Sequence, residues 1–268
     1  MSGGGKTNMK IIEVQFAPLN KTYWFNPENH ELKDNDFVVV KTELGTELGK
    51  IVDFKNIDDE KNKREIKPIL RKANLSDIEK VAEKNKNKEK DLKECCKLIE
   101  RHKLEMKIID LHYSFDGGRL TFYFTANKRI DFRDLVKDLT HKFQRSIRLH
   151  QIGARDEAKT LGEIGPCGKI LCCKKTLNKI EQITSEFIEE QNISHRGNSR
   201  LLGICGRFKC CLKYEYEMYK DLNKNLPKIG DSIKTEKGKG KVVKLNTLKQ
   251  SVSVKLESDN KTILEIKI

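Results

Sequence analysis

A glycine-led cysteine pattern, C-x4-C-C, occurs twice in this chain, as GPCGKILCCKK at 165–175 and again 38 residues on as GICGRFKCCLK at 203–213. The copies agree at Gly165 and Gly203, Cys167 and Cys205, and Gly168 and Gly206. They agree again at Lys169 and Arg207, Cys172 and Cys210, Cys173 and Cys211, and Lys175 and Lys213. A glycine after the first cysteine permits a tight turn, which brings the two sulfurs of C-x4-C toward one small centre and turns backbone N–H groups toward charged sulfur. Basic neighbours lower a thiol's pKa and offset thiolate charge. These features suit ligands held as thiolates. The spacing suits a zinc site and equally a plant-type two-iron cluster, so spacing alone does not choose between zinc and iron–sulfur.

The adjacent pairs, Cys172–Cys173 and Cys210–Cys211, add a constraint. Neighbouring side chains diverge in most backbone conformations, and six motif cysteines exceed the four ligands of one centre. The surplus is accounted for by unused thiols, by two centres completed by other ligands, or by a centre shared with another chain. Sharing is the reading favoured here. Thiol catalysis would need a base beside the cysteine; His195 lies between the motifs, but nothing pairs it with a thiol, and C-x-x-C redox spacing is absent. We therefore expect no enzyme.

The setting supports ligation over disulfides. The chain has 268 residues, enough to bury a core without covalent staples. No apolar run reaches membrane-spanning length and MSGGGKTNMK lacks a secretory apolar region, so the expected location is the cytoplasm, where thiols stay reduced. The net charge of +14 invites a nucleic-acid partner. It is equally what a lysine-rich surface produces, since Lys outnumbers Arg 42 to 12. SGGGKT at 2–7 resembles the end of a P-loop but lacks the earlier glycine and the leading strand, so no phosphate loop is assigned.

The elements that must position these residues read as an α+β chain. Residues 1–60 form a small N-terminal antiparallel β module: Ile12, Val14 and Phe16 alternate, FVVV at 37–40 is a strand, and Gly45 and Gly49 mark turns. Residues 61–105 form a charged helical segment in which Leu92, Cys95, Cys96, Ile99 and Leu104 trace an amphipathic stripe, making Cys95 and Cys96 packing residues.

Residues 106–226 form the α+β core. Ile109, Leu111, Tyr113 and Phe115 alternate, Asp116-Gly117-Gly118 turns, and Leu120, Phe122 and Phe124 alternate again, a β-hairpin. Asp131 is placed to cap a helix whose face holds Phe132, Leu135, Val136, Leu139 and Phe143, and SIRLHQI follows as a strand. This is a central ββαβ layer carrying the cysteine motifs. The hairpin aromatics are assigned to the core, since no RNA-binding Gly-aromatic signature accompanies them. Residues 227–268 read as a small basic SH3-like β barrel with turns at Gly230, Gly238 and Gly240, whose 228–244 segment carries six Lys against two acids and offers a possible RNA contact.

QIGARDEAKTLGEIGPCGKILCC followed by LLGICGRFKCCLKYE resembles the RicT/YaaT family, the stage-zero sporulation proteins with a polymerase-suppressor-type C-terminal domain. The likeness is most specific over 128–219 and extends through EVQF, VVVKTELGTELGKIV and the basic C-terminal region. It implies an adaptor that joins two small helical partners, RicA and RicF, in a complex carrying 4Fe-4S clusters with ligation shared between subunits. That complex promotes RNase Y-dependent mRNA processing and influences sporulation, competence and biofilm programmes. Cys167, Cys172, Cys173, Cys205, Cys210 and Cys211 all match family cysteines, while Cys95 and Cys96 match none, and Lys169 and Lys209 are local variations. The resulting expectation is a cytosolic iron–sulfur adaptor. Its rivals are a zinc-stabilised RNA- or DNA-binding protein and, further off, a redox enzyme.

Overall fold

The computed structural model describes residues 8–43, 45–58, 66–162, 164–175, 182–258 and 262–268. The P-loop-like 2–7 stretch lies outside them. The chain divides into two units, Met1–Gly162 and Glu163–Ile268.

The first unit opens with strands β1 (Asn8–Phe16), β2 (Lys21–Phe25), β3 (Phe37–Thr42), β4 (Gly45–Asp58) and β5 (Ile69–Lys72). They form one antiparallel sheet in the order β2-β1-β4-β3-β5. The alternating residues Ile12 and Val14 are buried together with Val38, Val40 and Ile51, as period-2 patterning requires. Gly45 turns the chain from β3 to β4 with a φ of 116°. Gly49 makes no turn. It pairs with Val38 inside β4, and a Cβ there would strike the Val14 and Phe16 side chains. Its smallness lets the sheet's own core approach the backbone.

Edge strand β5 comes from the segment expected to be helical. Helices α1 (Leu75–Lys86) and α2 (Lys88–Arg101) follow it. At the start of α1 the Asp77 N–H donates to Asn74 Oδ1 and the Asn74 N–H to Asp77 Oδ2, both at 2.9 Å, a reciprocal cap. Arg71 on β5 also donates to the Asp77 carboxylate, at 3.0 Å from Nη2, tying strand to helix. The guanidinium, and next the Asn74 N–H, pull the Asp77 carboxyl down to about 2 from an ordinary 3.8. A lowered folded-state pKa gives stability that is present above about pH 4 and is lost as pH falls toward about 2. Asp77→Asn is therefore expected to melt below the wild type at pH 7, with the gap between the two melting temperatures closing as pH falls through this window.

The central layer comprises β6 (Lys107–Tyr113), β7 (Arg119–Thr125), α3 (Arg133–Phe143) and β8 (Ser146–Gln151), as read from the sequence. β6 and β7 are antiparallel around Gly117, which has a φ of 78°, with the Gly118 N–H donating to Asp116 Oδ1. β8 returns through α3 to lie parallel to β7. Cys95 and Ile99 of α2, Leu135 and Leu139 of α3, and Leu111, Tyr113, Leu120 and Phe122 of the sheet form one buried cluster. Phe124 is buried as well, so the core assignment holds for the two phenylalanines of β7, while Phe115, beyond the end of β6, is half-buried. Asp131 accepts the Arg133 N–H, but the capping position itself is Phe132. The other face of this sheet, with Ile109 and Tyr123, packs on Leu19 from the β1–β2 connection. α4 (Ala154–Leu161) closes the unit.

The second unit contains α5 (Cys172–Lys175), α6 (Glu186–Glu190), α7 (Gly197–Leu201), α8 (Cys211–Asn223) and strands β9 (Ser232–Thr235), β10 (Gly238–Asn246), β11 (Ser251–Leu256) and β12 (Ile263–Lys267). The strands pair antiparallel in the order β12-β11-β10-β9. The expected SH3-like barrel is not formed among the described residues, because β9 and β12 remain opposite edges and do not pair. On the sheet's apolar side Val242, Val252 and Val254 are buried with Leu226, from the turn that follows α8, and Ile233, Leu245 and Ile266 pack against them. Gly238 is a turn residue with a φ of 122°. Gly240 is not: it lies inside β10, where a Cβ would meet the Lys255 carbonyl at 2.6 Å. No helix among the described residues is long and apolar enough to cross a membrane.

Candidate metal centre

The repeated sequence folds as a repeated loop. In the first copy the Gly165 N–H donates to the Lys169 carbonyl at 2.8 Å and the Gly168 N–H to the Gly165 carbonyl at 3.0 Å. In the second, the Gly203 N–H donates to the Arg207 carbonyl at 2.8 Å and the Gly206 N–H to the Gly203 carbonyl at 3.0 Å. A single bridge closes each loop, Ile164 with Ile170 and Leu202 with Phe208. Gly168 and Gly206 hold φ values of 75° and 70°, left-handed conformations that cost other residues about 1–2 kcal/mol. This is the turn for which the post-cysteine glycine was read. The first cysteine of each copy folds back over the leading glycine: Cys167 Sγ lies 3.7 Å, and Cys205 Sγ 3.8 Å, from where a Cβ on Gly165 or Gly203 would stand.

Each loop then feeds a helix, with Cys172 opening α5 and Cys210 at the N-cap of α8. α8 is held by burial of Leu212 and Tyr216 against Phe187, Ile188 and Leu201. The Tyr216 hydroxyl donates to Glu186 at 2.7 Å, and Gln191 Nε2 donates to the Leu212 carbonyl at 2.7 Å. The second motif is thereby fixed to a helical cluster of its own unit.

The copies differ in what covers them. Cys173 is buried, whereas its counterpart Cys211 is exposed; Cys167 is exposed, and Cys172, Cys205 and Cys210 are half-buried. Phe208 of the second loop packs on the helical cluster, while Ile164 and Ile170 of the first are 61% and 54% exposed. Ile204 beside Cys205 is exposed too. Sequence reasoning passed over these three isoleucines. Their only signal was an apolar residue in a loop with no strand or helix period to place it in a core.

The expected lowering of thiol pKa by basic neighbours is reversed at Cys211. Partial desolvation of its sulfur pushes this thiol up although the residue as a whole is exposed, aided by Cys172 and Glu215, and Lys209 opposes too weakly to win. Lys209 Nζ is itself engaged with the Arg200 carbonyl at 2.5 Å. Among the described residues, no three His, Cys, Asp or Glu side chains are gathered closely enough to hold a metal ion. In donor chemistry the site fits a thiophilic centre, with six sulfurs on two glycine-turned loops. His195 stands exposed in the turn between α6 and α7. Cys95 is fully buried in the first unit, where burial pushes its thiol up to about 12, and Cys96 is exposed beside it.

Family models match in two places: the PSP1 C-terminal conserved region over residues 67–152 and the third domain of PSP1-like proteins over 182–226. The chain is 39% identical over 255 residues to the stage 0 sporulation protein YaaT of Bacillus subtilis, covering 94% of this chain and 92% of that protein. The chain belongs to the YaaT family of PSP1-domain proteins. A Schizosaccharomyces pombe protein, PB7E8.02, is 28% identical over 160 residues, which covers 49% of this chain and 21% of the yeast one. Protein PSP1 of Saccharomyces cerevisiae is 43% identical over 47 residues, 18% of this chain and 6% of that protein. No solved structure matches. The two PSP1 regions together take in the ββαβ layer and the second cysteine loop, and the first loop falls between them. The YaaT likeness spans both units.

Proposed function

We propose that this chain is a cytosolic iron–sulfur adaptor subunit of the kind the YaaT family suggests, a binding protein and not an enzyme. Cys167, Cys172, Cys173, Cys205, Cys210 and Cys211 would supply the ligands, with centres completed by small helical RicA/RicF-like partners. A 4Fe-4S cluster, when bound, would supply a redox- and iron-responsive link between subunits. The assembly would act on RNase Y-dependent mRNA processing and, through it, on sporulation, competence and biofilm programmes. The observation that carries this reading is the duplicated loop, which presents thiols at the surface beside the uncovered Ile164, Ile170 and Ile204. Exposed apolar groups rimmed by polar ones are what a partner surface offers. The relationship to a protein named for stage 0 of sporulation supports the same programme.

Anaerobic purification with co-expressed partners, followed by metal and sulfide analysis and partner capture, tests it. The expected result is brown protein absorbing near roughly 400 nm, with iron and sulfide in similar amounts, that captures a small helical partner and a ribonuclease. Colourless protein with stoichiometric zinc would overturn it and favour the zinc-stabilised nucleic-acid binder.

A further inference from the structure

The first unit contains a cleft of about 470 Å³, of the size and character that small ligands occupy. It opens where edge strand β2 faces β7 and edge strand β8. One wall carries Tyr23, 55% exposed, with its ring 5.9 Å from that of Phe16. The other carries Tyr123, whose ring meets His150 edge-on at 5.5 Å. Trp24 also lines the cleft, and its indole N–H is buried without an acceptor among the described residues.

The rim is basic. Lys21, Lys41, Lys67 and Arg148 all line the cleft and all are exposed. Lys21 from β2 and Arg148 from β8 act together on His150, whose pKa is lowered by burial first and then by these two cations. Of the two lining acids, Glu47 is bonded to His112 Nε2 at 2.8 Å, which leaves Glu43 at the edge. Hard cations need several carboxylates and would not be held here. Aromatic faces beside several exposed cations fit a flat ring joined to a phosphate.

We infer that this cleft binds an unpaired nucleotide, its base stacked on Tyr23 or Tyr123 and its phosphate held by Lys21 and Arg148, supplied either as a free nucleotide or as one unit of a single strand. Base stacking on aromatic residues and backbone neutralisation by Lys and Arg are the two components of single-strand recognition. All of these residues lie in Met1–Gly162, so the inference does not rest on the cysteine loops.

Trp24 is the single tryptophan of the chain and reports directly on the cleft. The full-length protein is titrated with adenosine monophosphate, with a single-stranded oligoadenylate of about ten nucleotides, and with a duplex of the same length, reading tryptophan emission. Saturable quenching by a single-stranded ligand is expected. Much tighter binding of the oligonucleotide identifies a strand as the source, and equal binding per nucleotide identifies the free nucleotide. Tyr23→Ala is expected to weaken binding by about 5- to 100-fold. Arg148→Ala should weaken it and, for the oligonucleotide, flatten the salt dependence by about one phosphate contact. Both positions are exposed enough for the variants to stay folded, which far-ultraviolet circular dichroism checks. Absence of quenching, duplex binding as tight as single-strand binding, or wild-type affinity in both folded variants would each overturn the inference.

Discussion

If the proposed iron–sulfur reading holds, Cys205→Ser is expected to strip most of the iron from anaerobically purified protein while the ββαβ layer stays folded. Loss of a supporting outer-sphere residue already costs about 10- to 100-fold in metal affinity, and a first ligand costs at least as much. Cys205 is half-buried and folded back over Gly203, the same arrangement as Cys167 over Gly165. Cys167→Ser should therefore behave alike. The comparison that gives the experiment its force is Cys95→Ser. Cys95 is fully buried between α2 and the central sheet, so a serine there places a hydroxyl in an apolar core and lowers stability by about 1–3 kcal/mol. Its iron content per folded molecule should remain that of the wild type. Iron loss in Cys95→Ser equal to that in Cys205→Ser would show the ligands to be misassigned.

Phe122→Ala is expected to be the most damaging single change in the first unit, lowering stability by about 3–5 kcal/mol. The ring is fully buried on β7, with its centroid 5.9 Å from that of Phe143 and with Leu111, Leu135 and Leu139 in the same cluster. Domains of this size are stable by only about 5–15 kcal/mol, so the loss is a large share of the total. Urea denaturation followed by Trp24 emission measures it, and a shift below about 1 kcal/mol would mean that the cluster is not the core of this unit. Tyr123, the next residue along the strand, faces the opposite side of the sheet and packs on Leu19 and Ile152 beside the cleft. Two adjacent aromatics thus carry different duties, one to stability and one to the proposed ligand, because successive strand residues point to opposite faces.

The sequence by itself determined whatever depends on near neighbours along the chain. Period-2 alternation through Leu111, Tyr113, Leu120 and Phe122 and helical spacing through Leu92, Cys95 and Ile99 placed the central layer and its core, because each pattern is a property of one element's own geometry, whereas Ile109, read on the same face, is turned to the other by a bulge between Ile108 and Asp110. The duplicated cysteine motif was equally legible, and so was its turn, since Gly168 and Gly206 act on their own loops. Pairing between distant segments was decided only by the tertiary structure. Gly49 and Gly240 read as turns and proved to be strand glycines that make room for other strands, and the C-terminal strands pair in the order β12-β11-β10-β9 with β9 and β12 left as edges. The burial of Cys173 but not Cys211, and the aromatic, basic cleft lined from β2, β7 and β8, depend on which surfaces meet, and no local period encodes that.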